Sequence, residues 1–318
     1  MEPPGPSSEA VISLPKPRLL VVGGSGFIGS HVVRHAATLG WDVTGLGLTP
    51  RGSTEVSGVR WLNADISDRE ALALVLREAA YEYVVNCGGY INHALFSHGG
   101  RTVFESHFTG VLNVATLLNR KILRAMVNIG SSDEYGSSPA PQSEMQREAP
   151  ISPYSLGKVA ATHFLQMLYR TENFPAATLR IFLAYGPGQD DRRFLPQIIS
   201  GCLAGRSFPV SEGQQVRDFC YIDDVVDAIF SALQTPEAQG EVINVGSGSP
   251  VRIRDVIESV RLLVGRGAPE YGKIPYRHGE NMALYPDITK ARALLNWQPK
   301  TTLAKGLEQT VRSIMTSK

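Results

Sequence analysis

Cysteine is scarce: Cys87, Cys202 and Cys220 are the only three in 318 residues. They are widely spaced and odd in number, so neither a disulfide framework nor a metal site is expected. Free thiols suit a reducing compartment, and a cytoplasmic location is the expectation. No apolar run approaches the roughly 18 residues that span a bilayer. The first residues, MEPPGPSSEA, lack the basic and apolar regions of a secretion signal. Residues 1–17 are expected to form a disordered tail. Neither sign of charge predominates: 31 Lys and Arg face 30 Asp and Glu, for a net charge of +1. There is thus no bulk attraction to nucleic acid or to an anionic membrane. Charged residues make up only 19% and hydrophobic residues 43%, which excludes a disordered chain. There is no internal repeat. The length admits one large domain or two coupled ones.

What is present is an alternation of short β-branched runs with helical patterns. Residues 18–22, 41–48, 59–65, 83–86 and 125–129 read as strands. A helix with Ile28, Val32, Val33 and Ala36 on one face follows the first, with Gly40 as its C-cap. Ser67 and Glu70 form a capping-box pattern before the next helix. Strands alternating with helices predict βαβ units and an α/β fold, a Rossmann-type doubly wound parallel sheet. After Arg180 the pattern is less regular, and a last helix is expected from about Thr302 to Met315. The expected division is a dinucleotide-binding half, 18–180, and a smaller C-terminal α/β substrate lobe, 181–318. Some segments of the latter return to the first half.

The first strand runs into Gly23-Gly24-Ser25-Gly26-Phe27-Ile28-Gly29. Glycines at 23, 26 and 29 permit a tight turn, close backbone approach to a pyrophosphate and close packing of helix on strand. The phosphates then meet the helix N-terminus. A purely structural Gly turn is the bland alternative. Ser25, Phe27 and Ile28 are assigned to the cofactor with the glycines. At the end of strand two, NAD sites usually carry an acid; here Thr49 and Arg51 stand instead, which favours NADP(H), with NAD(H) possible. Arg51 as a solvated loop residue is the alternative. Asp65, with Ile66 beside it, either accepts from an adenine amino group or caps the next helix. Cys87, Gly88 and Gly89 follow strand four and are assigned to the cofactor.

Tyr154 and Lys158 lie four apart on a predicted helix and share one face. A nearby ammonium lowers a phenol pKa, and the phenol then exchanges a proton with a substrate oxygen. Ser131 or Ser132, at the carboxyl end of strand five, supplies a hydroxyl to the same oxygen.

These motifs resemble the extended short-chain dehydrogenase/reductase family, the NAD-dependent epimerases and dehydratases of nucleotide sugars. Further matches are Gly110, Asn113, Arg180, Tyr185-Gly186-Pro187-Gly188-Gln189, residues 217–225, Asn244-Val245-Gly246, residues 287–291 and Trp297-Gln298-Pro299. The resemblance implies catalysis by Ser131 or Ser132 with Tyr154 and Lys158. Counting back from Tyr135 without a gap favours Ser131. Ser132-Asp133-Glu134 imitates the Thr-Asp-Glu of 4,6-dehydratases, where acid and base eliminate water after hydride removal. The whole stretch 129–136 looks more like the GDP-4-keto-6-deoxymannose reductases. The resemblance thus implies NADPH-dependent reduction of the C4 ketone of a nucleoside-diphosphate 4-keto-6-deoxyhexose. The alternatives are an NAD-dependent 4-epimerase or 4,6-dehydratase, and a non-catalytic NADP-sensing protein.

Tyr90, His93, Asp133, Glu134, Arg193, Arg217 and Glu280 are the expected substrate contacts, with Arg217 on the diphosphate. An internal Arg217–Asp218 ion pair is the alternative. His107 stands where the family usually has Asn, and Leu183 where many members have Asn. His98 lies with His93 in the loop expected near the sugar. The resemblance also implies a homodimer. Ala160, Ala161, Phe164, Met167 and Leu168 either form its seam or face the chain's own core.

Overall fold

The computed structural model describes residues 15–48, 56–77, 80–276 and 279–316. The tail expected at 1–17 therefore falls almost wholly outside the described residues, as do Thr49 and Arg51. Six strands occur first in chain order: β1 (Arg18–Val22), β2 (Asp42–Gly47), β3 (Arg60–Asn63), β4 (Tyr83–Asn86), β5 (Ala125–Ser131) and β6 (Ala176–Ile181). With Val242–Val245 they form a seven-stranded sheet, in the order 242–245, β6, β5, β4, β1, β2, β3. Every pairing in it is parallel. The order reverses between β1 and β4, which opens a crevice beyond their carboxyl ends.

Successive strand residues point to opposite faces, so β1 feeds two cores. Leu19 and Val21 pack with Val32, Val33 and Ala36 of helix α1 (Phe27–Thr38). Leu20 and Val22 join the core on the other face. That core takes residues from α2 (Arg69–Leu76), α4 (Thr109–Leu117) and α5 (Pro153–Glu172), while α3 (Gly100–His107) packs against α5. Each fully buried aliphatic side chain is worth about 1.5–3 kcal/mol.

The remaining helices are α6 (Phe194–Leu203), α7 (Ile222–Gln234), α8 (Ile253–Val264), α9 (Thr289–Leu295) and α10 (Leu303–Thr316). Helix α7 packs on α1. Three small sheets pair 183–185 with 219–221, 207–209 with 268–270, and 216–217 with both 251–252 and 283–284. Around them α6, α8 and α10 form the C-terminal lobe. A link between the two parts is His31 of α1, whose Nε2 donates to Pro187 O at 2.9 Å.

Local chemistry explains where the elements begin. Helix α5 starts at Pro153, and Ser152 with Ser155 completes a capping box. The box expected at Ser67 and Glu70 does not form. Asp68 is the N-cap, accepting from Glu70 N and Ala71 N at 3.0 Å each. Ser67 instead donates its backbone N–H and its hydroxyl to Asp65. A carboxylate accepts two backbone bonds at once, so Asp outcompetes its serine neighbour. Strand five extends two residues past the predicted Ile129, which makes Ser131 its last member. In α5, Ala161 and Leu168 face the chain's own core, while Met167 is exposed.

Gly29 cannot carry a side chain. A Cβ there would sit 2.2 Å from Gly23 O and 2.8 Å from its carbon. Gly29→Ala is therefore expected to lower stability by about 1–3 kcal/mol, read as a shift in the chemical denaturation midpoint. An unchanged midpoint would show that the loop and α1 relax apart freely.

Candidate active site

The glycine loop leaves β1 and turns directly into α1. Gly26 is the N-cap, with extended φ −76°, and no side chain caps it; the first turn carries no acid. A Cβ at Gly26 would meet only Gly23 O, at 3.2 Å, on the solvent side. The helix N–H groups and their partial positive charge thus face open space, and this fits a dinucleotide pyrophosphate. Ser25, Phe27 and Ile28 are partly buried beside it. Across the crevice, Gly88 is buried at the end of β4. An added Cβ there would lie 2.7 Å from Ile66 Cδ1. Ile66 is wedged under Gly88 and Gly110, and its carbonyl accepts from Asn113 Nδ2 at 2.9 Å. Asp65 is exposed and holds Ser67 rather than an N-cap. Asn86 Nδ2 donates to Asn128 Oδ1 at 2.8 Å, which fastens β4 to β5 at the crevice.

Tyr154 and Lys158 are both buried on α5, 4% and 7% exposed. The Ser131 hydroxyl lies close enough to the Tyr154 phenol to act on its pKa. The expected depression of that phenol's pKa does not hold in the protein by itself. Burial comes first and pushes it well above its ordinary value, with Asp133 and Glu134 adding to the rise; Ser131 and Arg193 work against it. Lys158 Nζ lies 6.0 Å from the Tyr154 ring centre and donates to Ile129 O at 2.7 Å. Burial lowers its pKa to about 8, although Glu134 pulls the other way. Cys87, whose thiol burial pushes up to about 12, is also close to Lys158.

The residues 131–135 divide into two sets. Ser131 caps a short turn, accepting from Asp133 N at 3.1 Å. Asp133 is partly exposed and stands 3.8 Å from His93 Nε2, and the His93 ring lies edge-on to Tyr154, centres 5.7 Å apart. Tyr90 is exposed on the same loop, and Arg193 sits just before α6, close enough to act on Tyr154.

Glu134 is another of the expected substrate contacts. It is fully buried. Its carboxylate accepts from Ser131 N (2.8 Å), Thr162 Oγ1 (2.9 Å) and Arg180 Nε (2.9 Å). A charge in the core needs such partners, and from there the carboxylate acts on Tyr154 and Lys158. Ser132 is likewise buried, at 4%. Arg217 pairs with Glu280 and not with Asp218, whose carboxylate accepts from Ser247 and Ser249. The structure thus joins two expected substrate residues to each other.

Sequence reasoning passed over Thr162, and noted Arg180 and His107 only as family positions, without a contact for either. Arg180 lies 46 residues from Glu134 and on another strand, so no local pattern couples them. Among the described residues no cluster of His, Cys, Asp or Glu could hold a metal ion. Among the described residues no helix is long and apolar enough to cross a membrane.

Arg180→Met removes the guanidinium while Glu134 stays buried. The expected loss is about 3–5 kcal/mol of stability, measured by urea denaturation. Adding Glu134→Leu to the same chain is expected to recover part of it. A double variant no better than the single one would contradict the account.

The sequence profile of the NAD dependent epimerase/dehydratase family matches residues 19–246. A UDP-glucose 4-epimerase from Mycolicibacterium smegmatis is 31% identical, over 92% of this chain and 97% of its own. A probable dTDP-glucose 4,6-dehydratase from Sinorhizobium fredii is 27% identical, over 92% and 91%. The crystal structure of the Thermotoga maritima UDP-glucose 4-epimerase with UDP-glucose superposes with a TM-score of 0.87. That pair is 26% identical and covers 94% of this chain and 99% of the other. The protein is an NAD-dependent enzyme of the short-chain dehydrogenase/reductase type. With the glycine loop, the buried Tyr154 and Lys158 and the parallel sheet in place, the chain belongs to the NAD dependent epimerase/dehydratase family.

Proposed function

We propose that this enzyme is an NAD-dependent 4-epimerase of a nucleoside-diphosphate hexose. One observation carries the reading: Ser131 lies close enough to Tyr154 to act on its phenol, while Glu134 is locked in the core on Arg180. Eliminating water, as a 4,6-dehydratase does, needs an acid and a base beside the sugar. Of the two neighbouring carboxylates only Asp133 is available for that. The 4-ketoreductase reading used the same serine, tyrosine and lysine but leaned on NADPH. Its support, Thr49 and Arg51, lies outside the described residues, and the family is NAD dependent.

In this reading, the glycine loop holds the pyrophosphate, and Ile66, Cys87, Gly88 and Gly89 line the cofactor's path. Bound NAD supplies hydride exchange at C4 of the sugar. Tyr154 Oη exchanges a proton with the C4 oxygen, and Ser131 Oγ donates to that oxygen when it is a ketone. Lys158 and Arg193 are the cations that favour the phenolate; Asp133 and Glu134 oppose it. Asp133, Tyr90 and His93 border the hexose. Arg217 meets the diphosphate, for which it must leave Glu280. A homodimer and a cytoplasmic location complete the proposal; all three cysteines are free.

The test is to incubate the purified enzyme with UDP-glucose, UDP-glucuronic acid or dTDP-glucose and separate the 4-epimers. Conversion without added NADPH is expected, whereas consumption of NADPH by a 4-keto-6-deoxy sugar would restore the reductase. Tyr154→Phe is expected to lower kcat by about 10²–10⁴-fold with cofactor content unchanged. Lys158 carries its charge below its pKa of about 8 and loses it above. The kcat is therefore expected to fall as pH rises through that value, and a flat profile to pH 10 or so would contradict a charged Lys158.

A further inference from the structure

His107, the last residue of α3, is 3% exposed and fills the space between the chain leaving β4 and the start of α5. Gly89, at φ +101°, faces it so closely that a Cβ there would lie 2.3 Å from the ring's Cε1. Behind it, a Cβ on Gly157 would lie 3.0 Å from the His107 Cβ. The imidazole stands perpendicular to the Tyr154 ring, interplanar angle 85° and centres 4.9 Å apart. Its Nε2 is 2.9 Å from Tyr90 O. A carbonyl oxygen only accepts, so Nε2 carries the proton. Nδ1 is then a buried lone pair, and no hydrogen bond reaches it.

An apolar ring of similar size would fill the space without that unsatisfied atom. What the imidazole adds is the bond to Tyr90 O. That bond crosses from α3 to the segment that borders the reacting end of Tyr154. We propose that His107 is a positioning residue for proton transfer by Tyr154: it anchors the Gly89–Tyr90 backbone and seals Tyr154 and Lys158 from water. The inference rests on the reading of Tyr154 given above. Burial and the nearby Lys158 push the imidazole down to about 3, so it stays neutral across the working range. The groups facing Lys158 are Glu134, Cys87, Tyr154 and His107; those facing Tyr154 also include His93, Asp133 and Arg193.

Three variants and one spectrum test this. His107→Phe keeps the volume and loses the donor. It is expected to lower kcat roughly 10- to 100-fold, with KM within about twofold and the fall in kcat still near pH 8. His107→Gln restores an N–H donor and should recover part of the loss. His107→Ala admits water, so the fall in kcat should move to higher pH, towards the ordinary lysine value. The ¹⁵N shifts of His107 in the cofactor-loaded protein should show Nε2 protonated and Nδ1 bare from about pH 5 to pH 9. Wild-type kcat and pH profile in His107→Phe, or a protonated Nδ1 near pH 6, would overturn the proposal. A wild-type enzyme that epimerises nothing would remove the proposed function instead, and the nitrogen shifts would still decide the His107 tie.

Discussion

Three donors from three separate elements converge on the Glu134 carboxylate. Ser131 N comes from the end of β5, Thr162 Oγ1 from α5, and Arg180 Nε from β6. Arg180 is itself fully buried, bonds Glu148 through Nη2 at 2.6 Å and stacks over the Tyr135 ring at 4.6 Å. An isolated carboxylate in such a place would be prohibitively costly, so the partners must stay in register. The consequence is functional. The strand that ends in Ser131 and the helix that carries Tyr154 and Lys158 are fastened to one charge, which fixes the hydroxyl against the phenol.

The same economy of placement appears on the cofactor side. The sheet order reverses between β1 and β4, and the two chain ends that leave there are both built around close backbone contacts. Gly29 lets α1 touch Gly23, and Gly88 lets the post-β4 chain lie on Ile66. Asn86 and Asn128 bind the floor of the crevice. The crevice thus has an uncapped helix N-terminus on one side and a buried phenol on the other.

Much of this could be read in advance. The β-branched runs, the glycine spacing and the Tyr-x-x-x-Lys pair predicted the sheet, the loop and the helix that carries the pair, because each is a local pattern. Both candidate serines are buried, Ser131 at 8% and Ser132 at 4%, and Ser131 is the one that acts on the Tyr154 phenol. Where the reading went astray, competition between neighbours decided. Asp68 displaced Ser67 as a helix cap, and Glu280 took Arg217 from Asp218. Lys158 was expected to lower the Tyr154 pKa, yet burial outweighs every charge near the phenol.

The sequence by itself determined the α/β class, the strand that carries the glycine loop and the residue types around Tyr154. These follow from periodicity and from backbone freedom at glycine, which act over a few residues. Only the tertiary structure decided which carboxylate stays partly exposed beside His93 and which lies in the core. That choice depends on Arg180 and Thr162, far apart in the chain and joined only when β6 and α5 pack against β5. In the proposed reading this burial is what favours epimerisation over loss of water.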